Sequence, residues 1–135
     1  MTLSTLVTLT ACGVRPTPVL TGAEAPTVSS HELTVYLVKA ERDGLVRRTR
    51  PYTGNVETVT AIDLLVAGLT DEEKKLGLHT EVPTTTSRIY AVSNVVLLPQ
   101  DMGPLSMWAQ FQLYCTAIAS RAKVEGVQVA DVDCP

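Results

Sequence analysis

Between positions 33 and 38 the chain has almost no polar gap: Leu33, Val35 and Leu37 alternate with Thr34, Tyr36 and Val38. A strand apolar on both faces is one that lies inside a structure. Asp43-Gly44 follows, a pair that favours the positive dihedrals of a tight hairpin, so Leu45 to Arg50 is expected to return as the partner strand. That partner carries Arg47, Arg48 and Arg50 and stops at Pro51, the charge and proline that keep an open edge from pairing with other chains. The period then changes. Val59, Ile62, Val66 and Leu69 recur at helical spacing, and Gly68 can close that helix in a left-handed conformation. Thr70 and Glu73 have capping-box spacing, Asp71 to Glu73 put negative charge at the positive end of a second short helix, and Gly77 ends it after Lys74 and Lys75. Arg88 to Val92 alternates again, Ser93-Asn94 offers a turn, and Val95 to Leu98 completes a second hairpin. Ser106 is placed to cap a longer helix. Its apolar stripe reads Trp108, Phe111, Cys115, Ile118 or Ala119, and Ala122, with Gln110, Gln112, Arg121 and Lys123 on the remainder. Gly126 is the expected end of that helix, and Val127 to Val132 the expected final strand.

This order predicts an α/β (α+β) fold: a two-layer arrangement with two main helices packed on one face of a mixed sheet of four to five strands. The middle of the chain adds a family. Ala67-Gly68-Leu69-Thr70, with Glu73 three residues on, closes one helix, and Leu76-Gly77-Leu78 with Thr80 and Val82-Pro83 ends the next. This pattern resembles the GerMN domain of bacterial sporulation, germination and actinobacterial envelope lipoproteins. The resemblance spans Thr34 to Val132 and is most specific from Ala61 to Pro83. It implies a small α/β sheet with two helices, and a binding or assembly module in contact with other envelope proteins or wall polymer.

The N-terminus speaks to location. Leu9-Thr10-Ala11-Cys12 resembles the lipobox of bacterial lipoproteins, with Leu3, Leu6, Val7 and Leu9 as its apolar approach. Cys12 is then the lipid-attachment residue and the protein lies on the extracytoplasmic face of the cell membrane. Ser4, Thr5 and Thr8 interrupt the apolar run and no Lys or Arg precedes it, which places the true start upstream. Residues 1–11 read as the signal-like segment, 12–31 as a flexible tether broken by Pro16, Pro18 and Pro26, and 32–135 as the folded domain. With Cys12 committed to lipid, Cys115 and Cys134 remain as a pair for one disulfide in an oxidising compartment. Reach argues against it: a helix running on to Gly126 and a strand back leave a mismatch of about 10 Å, so the end of the strand has to bend.

Net charge is −3, which gives no drive towards nucleic acid. The basic residues are local. Lys39, Arg42, Arg47, Arg48 and Arg50 offer an anion site for phospholipid head groups or wall polymer, or else form the solvated protection of an open edge, the commoner meaning of a charge run. No phosphate-binding glycine loop, H-E-x-x-H, C-x-x-C or G-x-S-x-G is present, so no catalytic residue, metal or cofactor is assigned. His31 falls at the end of the tether, and His79 with Glu81 reads as a surface pair. Asp63 is explained by the helix dipole. The chain is read as non-enzymatic; the alternative is a cell-wall-acting hydrolase or other enzyme, which needs a pocket of converging polar groups with perturbed titration.

Overall fold

The computed structural model describes residues 13, 29–129 and 132–135. The elements are β1 (Ser30–Val38), β2 (Leu45–Thr53), α1 (Thr60–Val66), α2 (Asp71–Lys75), β3 (Tyr90–Val92), β4 (Val95–Leu97), a 3-10 turn (Gln100–Met102), α3 (Met107–Ala119) and β5 (Lys123–Val124). The fold is α+β. Its strands divide between two sheets, β1–β2 and β3–β4–β5, where the element order suggested one. The second sheet is mixed: β3 and β4 are antiparallel, β4 and β5 parallel.

The division follows from what occupies the far edge of β1. Pairing with β2 matches Leu33 to Arg50, Val35 to Arg48 and Leu37 to Val46 on one face, and Val35 and Leu37 join the main core with Ile62, Leu65, Val96 and Leu113. Tyr36 and Val38 point the other way, into a smaller cluster with Leu45 and Cys115 under Trp108, Phe111 and Tyr114. Both faces of the strand are therefore buried, and its backbone groups need partners. They come from α3 and a loop. The Tyr36 N–H donates to Thr116 Oγ1 at 3.0 Å, and Gln112 Nε2 donates to the Tyr36 carbonyl at 3.0 Å. Val38 and His79 exchange two backbone hydrogen bonds of 2.9 Å. A helix thus lies where a third strand would pair.

The first hairpin differs from the sequence expectation at three points. β1 begins at Ser30, so His31 is a strand residue opposite Tyr52 and not the end of a tether. The first hairpin closes through a longer loop, with the Lys39 N–H on the Gly44 carbonyl at 2.9 Å and Arg42 at φ 57° in place of the Asp43-Gly44 turn. Pro51 lies within β2 opposite Glu32, and the strand continues to Thr53. Its missing N–H falls on the open side of this edge strand, where no ladder bond is lost.

α1 buries Ala61, Ile62, Leu65 and Val66, and Gly68 follows it at φ 95°. The capping box of α2 is formed in full: Thr70 Oγ1 accepts from the Glu73 N–H at 3.3 Å, and Glu73 Oε2 accepts from the Thr70 N–H at 2.9 Å. Ser106 caps α3 through the Ala109 N–H at 3.1 Å. α3 ends at Ala119 rather than Gly126, closed by Ser120 and by Arg121 at φ 56°. Two of its flanks are buried. Ala109, Leu113 and Ala117 enter the main core; Cys115 enters the smaller cluster beside Trp108 and Phe111, whose rings meet edge to face at 5.6 Å. Gln112, expected on the polar side, is fully buried, whereas Ile118 and Ala119, expected in the apolar stripe, are exposed.

The final strand is β5 at Lys123–Val124; residues 127–129 are irregular, and 130–131 lie outside the described residues. An early helix end removes the reach problem. Cys115 and Cys134 form the disulfide with Cα atoms 5.4 Å apart, and the phenol of Tyr36 donates to the Pro135 carbonyl at 2.7 Å. Among the described residues no helix is long and apolar enough to cross a membrane.

Candidate functional site

The five basic residues do not converge. Neighbours along a strand face opposite ways, so Arg48 and Arg50 share the core face of β2 while Arg47 lies on the other, donating to Thr34 Oγ1 at 3.3 Å. Lys39 and Arg42 are exposed in the hairpin loop. Arg50 is buried, 6% exposed. Its Nε donates to Glu73 Oε1 at 2.9 Å and its Nη2 to Glu73 Oε2 at 2.6 Å, a bidentate pair. Nη2 also reaches the Gly68 carbonyl at 2.9 Å, and Nη1 the Leu64 carbonyl. The guanidinium thus neutralises the carbonyl end of α1 and holds the carboxylate that caps α2. Four of its five N–H donors are engaged inside the protein and the group is buried, which corrects the reading of Arg50 as part of an anion site. Burial pushes the Glu73 carboxyl up, but the Arg50 hydrogen bond, the Thr70 N–H and the guanidinium charge together hold it below its ordinary value.

Polar groups do converge at a recess of about 310 Å³ between the entry to α1 and the outer edge of β3. It is lined by Glu57, Thr58 and Val59 ahead of α1, by Asp63 on its first turn, and by Arg88 to Ala91 with Ser93. The walls are set by local chemistry. The Glu57 N–H donates to Thr60 Oγ1 at 2.7 Å and the Thr60 N–H returns to the Glu57 carbonyl at 3.1 Å, folding the entry into a turn. Thr58 Oγ1 donates across the recess to the Ser93 carbonyl at 3.4 Å. Arg88 lies over the Tyr90 ring, 5.4 Å from its centroid, with Tyr90 58% exposed.

Asp63 titrates above its ordinary value: burial raises it first, the Glu57 carboxylate raises it further, and Arg88 works against both. Asp63 stands in the first turn of α1, where the helix dipole favours a negative charge, and these neighbours act on it in addition. The recess therefore offers two carboxylates to a cation, one guanidinium to an anion and a ring to a flat or apolar group. Among the described residues its lining contains no His or Cys.

The other sequence-singled residues play structural parts. His79 serves through its backbone, and the Glu81 carboxylate accepts from Ser106 Oγ at 3.2 Å while its N–H donates to Gln112 Oε1 at 2.9 Å. Among the described residues no three His, Cys, Asp or Glu side chains come together as a metal set. Cys12 lies outside the described residues. Compared with family models, curated proteins and solved structures, the chain finds no match.

Proposed function

We propose that this chain is a non-enzymatic binding or assembly module of the bacterial cell envelope, of GerMN type, anchored through Cys12 on the extracytoplasmic face of the membrane. The observation that carries the reading is the Cys115–Cys134 disulfide, since such bridges persist in oxidising compartments and are rare in the cytosol. The lipobox-like Leu9-Thr10-Ala11-Cys12 agrees with export. The recess supplies the binding chemistry. Glu57 and Asp63 on one side and Arg88 on the other suit a ligand bearing both an ammonium and a carboxylate, such as a peptide of the wall polymer or a charged loop of another envelope protein.

One observation favours the hydrolase reading as a second: a carboxyl kept protonated to higher pH beside another carboxylate is an acid–base arrangement. Two measurements separate the readings. Fractionation with mass analysis of the N-terminus is expected to find membrane-bound protein with a modified Cys12, and Cys12→Ala to release it; a free Cys12 thiol and unchanged location would refute the anchor. Incubation with wall polymer is expected to give retention without product. Product that disappears in Asp63→Asn would make the chain an enzyme.

A further inference from the structure

A second cavity, of about 370 Å³, opens between the C-terminal turn of α3 and β5, and shares no lining residue with the polar recess. Its floor is apolar and small: Ala117, Ala122 and Val124 are buried there. Ile118, 47% exposed, and Val127 form its sides, so apolar surface continues from the floor to the mouth. The charge at this mouth has one sign. Arg121 and Lys123 both line the cavity and both are exposed, and the described lining contains no carboxylate. The polar recess differs in this respect, since Asp63 and Glu57 offset Arg88 there.

We infer that this cavity binds a single-chain anionic amphiphile, an acyl chain bearing a carboxylate. An apolar slot of this size buries one chain, and each methylene removed from water adds to the affinity. The two cations then face the head group at the surface, where the carboxylate keeps part of its hydration and still gains charge-assisted hydrogen bonds. A cationic head is repelled by Arg121 and Lys123, and a neutral one gains no ion contact from them. The backbone fixes the arrangement: Arg121 sits at φ 56° in the turn that ends α3, and Lys123 is held in β5 by pairing with Val95.

The test uses the whole chain, isotope-labelled, with dodecanoate as probe below its self-association concentration and dodecyltrimethylammonium as the head-group control. Dodecanoate is expected to shift the amide resonances of Ala117, Ile118, Ala122 and Val127 saturably, and the cationic probe to bind far more weakly. Arg121→Asn combined with Lys123→Gln is expected to weaken dodecanoate about fivefold to tenfold, the scale of two exposed ion contacts. Asn is chosen because it tolerates the positive φ. Ile118→Trp, a change at an exposed helix position, is expected to fill the slot and weaken binding more than tenfold at an unchanged melting temperature. Equal binding of the two probes, shifts centred instead on the exposed sheet residues Tyr90 and Val92, or full affinity in Ile118→Trp would each overturn the assignment.

Discussion

Removal of Arg50 would leave the Glu73 carboxylate buried beside the unpaired carbonyls of α1, because Glu73 is 2% exposed and its only ion-pair partner among the described residues is that guanidinium. Breaking one side of a buried pair typically costs about 3–5 kcal/mol. Arg50→Ala is expected to lose stability on that scale in urea unfolding, whereas Arg47→Ala, at an exposed position, should stay within about 0.5 kcal/mol. The pair also sets an acid limit. Glu73 has a folded value below its unfolded one, so its contribution is complete above the unfolded carboxyl range near pH ~4.3 and is lost as pH falls through the folded value. Glu73→Gln should remove that part of the acid dependence. Asp63 has the opposite sign. Its folded value is raised, so the folded state is favoured while the group is protonated and loses that advantage as pH rises through the folded value. Carboxyl resonance titration should find Asp63 above an ordinary aspartate; Glu57→Gln should lower it and Arg88→Gln should raise it further.

At the scale of elements, α3 acts as the neighbour of β1. Gln112 and Thr116 stand in for a strand by satisfying the Tyr36 backbone, and Gln112 also holds the Glu81 N–H. Thr116→Val leaves the buried Tyr36 N–H without its partner, at a cost of about 1–3 kcal/mol, and Gln112→Leu strands two backbone groups and should cost more. Urea unfolding of the two variants, with Thr70→Ala as a capping control expected at about 1 kcal/mol, gives the order. These two side chains were not legible in the sequence. A stripe search assumes one buried flank, but α3 buries two, and a glutamine between them looks like a polar-face residue. The end of the helix was hidden for a related reason: Arg121 takes the left-handed position that glycine usually marks, so Gly126 drew the boundary too far on. Local chemistry, by contrast, was readable. The capping box at Thr70 and Glu73, the Ser106 cap and the Ser93-Asn94 hairpin all need only neighbours in sequence, and all form as expected. Arg47 and Arg48 are adjacent in a strand and so face opposite sides, and that alternation alone argued against a joint anion site. The recess was out of reach because Glu57, Asp63 and Arg88 come from three segments that meet only through the tertiary fold.

For the molecule as a whole, the bridge between Cys115 and Cys134 ties an irregular C-terminal tail to the helix that organises both clusters. It closes a loop with a sequence separation of 19, which in the chain-entropy model stabilises by about 3 kcal/mol. It also links fold to location, because a protein held in a reducing cytosol would not keep it. The export reading therefore rests on one chemical state. Native protein taken from cells without reductant, blocked with a thiol-alkylating reagent after unfolding and digested, reports that state by mass. The account predicts a peptide pair joined through Cys115 and Cys134 and no alkylation at either residue. Both cysteines alkylated in protein from the native source would contradict it and remove the main support for an extracytoplasmic binding module.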